Sequence, residues 1–229
     1  MTTLVVLQPG YLPWLGFFDQ VRRSDVFVYY DDVQFDKHGW RNRNRIKAAN
    51  GPVWLTVPVL HSGRFGQRIL EVEIDNRAPW AKKQLAAITQ SYARAPFLAQ
   101  YLPELTRVLT QPHTLLVDLD IELARLMCSW FGLERRFARA SQLGIEGGKS
   151  DRLLNLCKHF QADLYLSGDS AKDYLDVALF QASGVTVEWQ GYQHPTYPQL
   201  HGEFFPFLSA LDLLLNVGPN SSNVLDGRP

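Results

Sequence analysis

Two short apolar runs on either side of a helix-period stretch constrain this chain more than anything else in it. Thr3-Leu4-Val5-Val6-Leu7 is halted by Pro9-Gly10, Leu15 to Arg22 has helical spacing, and Asp25-Val26-Phe27-Val28-Tyr29 follows. Unbroken apolar runs of this length are what a strand buried on both faces needs. Strand, helix and strand within about thirty residues make a βαβ unit, whose crossover forces the two strands to be parallel. An α/β fold is therefore expected, with a mostly parallel sheet flanked by helices, a Rossmann-like arrangement.

The remaining chain extends this pattern. Val53 to Val59 and Ile69 to Ile74 read as strands separated by the Gly-rich turn His61-Ser62-Gly63-Arg64-Phe65-Gly66. Pro79 to Ala93, Ala95 to Thr110 and His113 to Phe131 then have helical spacing, which predicts a helical insertion over about 78–132 within one α/β domain spanning 1–229. The alternation resumes with strands at Phe137 to Ser141, Asp163 to Leu166 and Val185 to Trp189. Helices at Lys149 to Phe160 and Ser170 to Phe180 separate them, and a last helical stretch covers Leu208 to Leu215.

Composition narrows the class. Lys plus Arg number 23 against 23 acids, so no global field attracts nucleic acid or an anionic membrane, and any anion site must be a local cluster. Cys128 and Cys157 are isolated among apolar residues, which fits a reducing compartment better than a disulfide scaffold. No run approaches the roughly 20 apolar residues of a membrane span, and the apolar start is too short for a signal peptide. A cytoplasmic location is expected.

Three constellations could carry chemistry. The first is Gln8-Pro9-Gly10-Tyr11-Leu12-Pro13-Trp14-Leu15-Gly16, at the carboxyl end of the first strand. Ligands of open parallel sheets settle there, beside helix N-termini with unpaired N–H groups. Gln8, Tyr11, Trp14 and Gly16 are its binding candidates, and Gly16 would let a phosphate or sugar come close. The second runs from Asp31 to Lys47, beginning where the second strand ends. Asp31 and Asp32 could hold Mg²⁺, bind an amine or act as a base. Gln34, Trp40, Asn42 and Asn44 offer hydrogen bonds and a stacking surface. Lys37, Arg41, Arg43, Arg45 and Lys47 alternate with other residues, so an extended backbone would present several cations on one face. A solvated basic loop is the plainer alternative.

The third constellation lies in the second α/β stretch. Gly147-Gly148-Lys149-Ser150 lacks the leading Gly of a phosphate loop and reads as a helix cap. Ser167, Gly168, Ser170, Lys172 and Tyr174 follow a strand and open a helix, a natural place for an anion. His194 lies in a Pro-rich aromatic loop that could line a pocket. The six histidines have no zinc spacing, so no metal ligands are assigned.

At this point a resemblance enters. Gln8 through Asp19, Tyr30 through Lys37, Trp40 through Lys47, Lys149 through Leu154, Tyr165 through Gly168, Ser170 through Tyr174 and His194 through Gln199 resemble the WbqC-like family, and the match runs over about residues 3 to 220. It implies an enzyme of bacterial O-antigen or other surface-polysaccharide synthesis that transfers an amino acid such as glycine to an amino sugar. On that reading Asp32 is the general base, Lys37 and Arg43 are carboxylate or phosphate ligands, and Lys172 is an electrostatic stabiliser. The implied partners are a nucleotide-linked amino sugar and an amino acid, with no nucleic acid. The cofactor is left open, with room for ATP and Mg²⁺. The turn and the Asp-bearing second strand are also similar to the HIGH-motif nucleotide-binding fold, Pro13-Trp14-Leu15-Gly16 standing where that fold carries His-x-Gly-His. Both of those histidines are absent here. A HIGH-like nucleotidylyl transferase or ligase and a non-catalytic sugar-nucleotide binding protein are the alternatives.

Overall fold

A computed structural model describes residues 1–37 and 39–227. In chain order the elements are β1 (Thr3–Leu7), α1 (Leu15–Arg23), β2 (Val26–Tyr29), β3 (Arg43–Ala48), β4 (Gly51–Thr56), α2 (Trp80–Ser91), α3 (Leu98–Thr110) and α4 (Leu116–Trp130). They continue with β5 (Arg136–Arg139), α5 (Lys149–His159), β6 (Leu164–Ser167), α6 (Val177–Ala182), β7 (Thr186–Trp189), α7 (Leu211–Val217) and α8 (Ser221–Leu225). The chain divides into two compact units, one made of Met1–Gln8, Asp19–Asp32 and Glu134–Gln193, the other of Pro9–Phe18, Val33–Leu133 and the residues from His194 onward.

The first unit holds a five-stranded sheet in the order β5-β2-β1-β6-β7, and every neighbouring pair is parallel. Counted along the chain, these strands lie 3-2-1-4-5, so the direction of winding reverses between β1 and β6. Alternation sorts the side chains. Leu4, Val26, Val28 and Tyr165 join Leu153, Leu156, Cys157 and Phe180 from α5 and α6 in one apolar core. Phe27, Tyr29 and Phe137 form a second aromatic cluster, with ring centroids 5.2 to 6.0 Å apart. Apolar residues on both faces explain why β1 and β2 read as unbroken hydrophobic runs. Burial pushes the Cys157 thiol up to about 12, the behaviour of an inert core cysteine.

The second unit holds the antiparallel hairpin β3–β4 and the helices α2, α3 and α4. β3 is the extended basic segment: Arg43 and Arg45 alternate with buried Asn44 and Ile46. Lys47 departs from this pattern. It is buried, and its ammonium donates to the backbone carbonyls of Gly202 and Glu203.

Three local expectations are corrected. Ile69 to Ile74 is not a strand but a short 3-10 turn over Ile69–Glu71, closed where Glu71 takes the Arg68 N–H and guanidinium. The helix expected from Ser170 to Phe180 splits into a 3-10 turn at Asp169–Asp173 and α6, because Asp176 accepts the Leu179 N–H and starts the helix afresh. Ser150 does not cap α5; its hydroxyl accepts the Asp176 N–H instead.

Candidate functional site

Because the five strands are parallel, the ends of β1, β2, β5, β6 and β7 form one carboxyl rim in the first unit. Ligands of doubly wound sheets bind outside such a rim, at the point where strand order reverses. Here that point is flanked by Gln8 after β1 and by Ser167-Gly168 at the end of β6. Ser167 is buried, Gly168 half-buried and Ser170 exposed. The Gln20 side chain lies near Gly168, 3.6 Å from where a Cβ would stand, and donates to Gln190, which in turn donates to Asp19.

Two consecutive carboxylates leave β2 in different states. Asp31 is fully buried and satisfied: Oδ1 accepts the Ser141 N–H at 2.9 Å, and Oδ2 accepts Arg139 Nε at 2.8 Å and the Ser141 hydroxyl at 2.7 Å. These bonds fasten the end of β2 to the turn after β5. Asp32 pairs through Oδ2 with Arg152, whose Nε donates to Ile145 O at 3.0 Å. Asp32 Oδ1 is enclosed and has no hydrogen-bond partner among the described residues. The Arg152 guanidinium sits 5.2 Å from the Tyr30 ring centre. Burial opposes the Arg152 charge, but its bonds to Asp32 and Tyr30 outweigh that and raise its pKa. Burial likewise raises the Tyr30 phenol. Tyr174, two-thirds exposed, is close enough to Tyr30 to act on it electrostatically. Lys172 pairs with Asp169 at 2.6 Å and lies 5.7 Å from the Trp189 ring. The Lys172 bond is the first cause holding the Asp169 carboxyl below its usual range.

In the second unit the turn from Pro9 to Gly16 is fixed by its own neighbours. Tyr11 N–H donates to the carbonyls of Trp40 and Arg41, and Arg41 donates to Pro9 O at 2.9 Å. Leu12 holds a positive φ of 42°, unusual for a residue with a branched side chain. Asn44 supports it by donating to Tyr11 O and Leu12 O, at 3.3 and 2.7 Å. Tyr11 is fully buried and its hydroxyl donates to Gln84, so it braces the turn. The space over Gly16 is filled by the Trp14 indole, 2.3 Å from where a Cβ would stand. Asn42 is buried and donates to Val57 O.

The cations of β3 lie among aromatic rings. Arg43 is 4.6 Å from the Trp54 centroid, and Arg45 is 5.5 to 5.6 Å from Trp40, Trp54 and Phe205. Trp40 and Trp54 stand 5.4 Å apart, each nearly half exposed. His194 packs in a further aromatic group with Tyr197, Phe204 and Phe207, and Trp14 reaches Phe207 at 5.8 Å. Burial lowers the His194 pKa. Gln34 and Lys37 are exposed and line an open groove with the loop His61 to Gln67. His38, beside Lys37, lies outside the described residues. Among the described residues no group of three or more His, Cys, Asp or Glu side chains could hold a metal ion. No described helix is long and apolar enough to cross a membrane.

A model of the WbqC-like protein family matches residues 8–224, nearly the whole described fold. The chain belongs to the WbqC-like protein family. It is also 40% identical, over 227 residues and 98% of both chains, to "Uncharacterized protein Rv1507c" of Mycobacterium tuberculosis. No solved structure matches it.

Sequence reasoning missed several groups in this WbqC-family chain. Arg139 and Ser141 are 108 and 110 residues from the Asp31 they satisfy, too far for any spacing rule. Asp120, on α4, is fully buried, and neither carboxylate oxygen has a hydrogen-bond partner among the described residues. Burial raises its pKa well above the ordinary value, with Arg41 opposing. A signal for it existed: Asp120 falls on the same helical stripe as Leu116, Leu123, Ala124 and Met127.

Proposed function

We infer that this WbqC-family chain is an enzyme of bacterial surface-polysaccharide (O-antigen) synthesis that joins an amino acid, glycine first among them, to an amino sugar carried on a nucleotide. The observation that carries this reading is Asp32. One oxygen is oriented by Arg152, and the other is enclosed and has no partner among the described residues, at the carboxyl rim of a parallel sheet. A carboxylate held by a guanidinium, with a lone pair to spare, suits a general base. In the proposed step the sugar amine attacks the carbonyl carbon of an activated glycyl donor. The new C–N bond forms, the bond to the leaving group breaks and takes its electron pair, and Asp32 accepts the amine proton. The donor is either activated by ATP with Mg²⁺ or supplied already activated. Ser167, Gly168 and Ser170, on the same rim, are proposed hydrogen-bonding groups.

The test is to incubate the purified protein with a nucleotide amino sugar, glycine and ATP and to look by mass spectrometry for the glycylated sugar. A product that Asp32→Asn reduces by about 10²-fold or more is expected. Failure to form product with ATP-activated and preactivated donors alike refutes the reading. The strand order of the sheet favours one second reading, a HIGH-like nucleotidylyl transferase or ligase, which predicts ATP–pyrophosphate exchange dependent on a small acid. Tight sugar-nucleotide binding without turnover, unchanged in Asp32→Asn, instead marks a non-catalytic binding protein.

A further inference from the structure

The second unit contains an open groove of about 700 Å³ between the segment after β2 and the loop that follows Leu60. The two walls are joined at their roots: Phe35 N–H donates to Gln67 O and Ile69 N–H to Val33 O, both at 2.9 Å. Gln34 forms a β-bridge with Arg68. Arg64 is tied to Glu73 at 2.7 Å. The groove is thus a built feature with a loop for one wall.

Its lining has a definite chemistry. Among the described lining residues Lys37, His61 and Arg64 bring basic groups to it, against the acid Asp36. Gly63 and Gly66 have φ of 72° and 73°, and nothing lies within 4 Å of where their Cβ atoms would stand. Left-handed glycines in a turn expose backbone N–H groups in the manner that favours anions. The Gln67 side-chain oxygen is enclosed and has no hydrogen-bond partner among the described residues, so it lacks a donor. Phe65, between the two glycines, is 98% exposed, which leaves a whole aromatic face uncovered beside basic groups.

We propose that this groove binds a phosphorylated small molecule carrying hydroxyls and a ring: the phosphate beside Lys37, His61 and the glycine turn, a hydroxyl donating to Gln67 Oε1 once that side chain turns into the groove, and the ring stacked on Phe65. A nucleoside diphosphate has all three parts. Phosphate alone leaves Phe65 uncovered and Gln67 unpaired; an apolar ring alone leaves the cations unused. The proposal rests on the nucleotide-linked substrate of the preceding section for the choice of probe.

Isothermal titration calorimetry with UDP, GDP, ADP and inorganic pyrophosphate tests it, in wild type and in Phe65→Ala, Lys37→Glu and Gln67→Leu, each first shown to melt cooperatively. At least one nucleotide is expected to bind more tightly than pyrophosphate. Phe65→Ala should weaken it about tenfold without affecting pyrophosphate, since base–aromatic stacking has this size of effect. Lys37→Glu should weaken nucleotide and pyrophosphate alike, more so at low salt, and Lys158→Glu, a charge-matched change on α5, should alter neither. Absence of binding by all three nucleotides overturns the proposal, as does nucleotide affinity unchanged in all three groove variants. Pyrophosphate binding as tightly as the best nucleotide, with Phe65→Ala neutral, also overturns it. If these variants lose nucleotide affinity while no glycylated sugar forms, the groove stands and the proposed reaction falls. Product formed while nucleotide affinity is unchanged in all three variants gives the reverse.

Discussion

Asp31, at the rim of the parallel sheet, and Asp120, on α4 in the second unit, are both completely buried carboxylates, and the protein treats them in opposite ways. Among the described residues Asp31 receives hydrogen bonds from the Arg139 and Ser141 side chains and from the Ser141 backbone. Asp120 receives none from the described residues. Burial alone therefore says little about what a carboxylate does. The donors around it decide whether it fastens the end of a strand or holds its proton to a higher pH.

The largest expected effect comes from breaking the satisfied member. Asp31→Ala removes the acceptor for Arg139 and for the Ser141 backbone and hydroxyl, leaving a part-buried guanidinium without this carboxylate. A loss of about 3–5 kcal/mol is expected in urea unfolding, the usual cost of removing one partner of a buried pair. A loss below about 1 kcal/mol would mean that Ser141 and Arg139 find other acceptors and that Asp31 is not the fastener of β2.

Asp120 should respond in the opposite direction. Its folded pKa lies well above the unfolded value of 3.8, mainly through desolvation. Below pH 4 both states carry the proton and the group is neutral to stability. As pH rises towards the folded pKa, the unfolded chain has released the proton and the folded one has not, so stability falls with pH and levels off above that pKa. Asp120→Asn removes the ionisation. It should raise stability at pH 8, read as a higher Tm in thermal melts, and change little near pH 4. Equal shifts at both pH values would show that Asp120 has donors the described structure does not display.

Much of the fold was legible in sequence because parallel strands buried on both faces leave little choice of residue: Val5, Val26, Phe27 and Val28 announce β1 and β2. The alternation Arg43, Asn44, Arg45, Ile46 foretold an extended segment with its cations on one face. It could not foretell that Asn44 would face inward to hold Tyr11 O and Leu12 O, since a polar residue between arginines reads as solvated. The turn from Ile69 to Glu71 was lost for a related reason: a side chain closing on a backbone N–H three residues earlier leaves the apolar pattern unchanged. In the candidate site, Asp32 was visible as an acid after a strand, but its state depends on Arg152, 120 residues further on. Tyr11 and Gly16 were visible as unusual residues, and only packing shows that one braces the turn and the other makes room for Trp14.

The smallest expected effect completes the scale set by the two buried acids. Asp169 also has a short partner, Lys172 at 2.6 Å, but both side chains are about half exposed. Water competes for each charge and salt screens the pair, so the short distance carries little net free energy. Asp169 keeps a second bond, to the Gly191 N–H at 3.0 Å, when the lysine is removed. Lys172→Ala should therefore leave Tm within about one degree of wild type at moderate salt. Lys172 is also the proposed electrostatic stabiliser of the rim, so the same variant separates fold from function. Unchanged Tm with several-fold lower glycyl-transfer activity supports that role; unchanged Tm with unchanged activity makes Lys172 a surface residue. A large drop in Tm would mean that an exposed ion pair here behaves like the buried Asp31, and the distinction drawn between the two would fail.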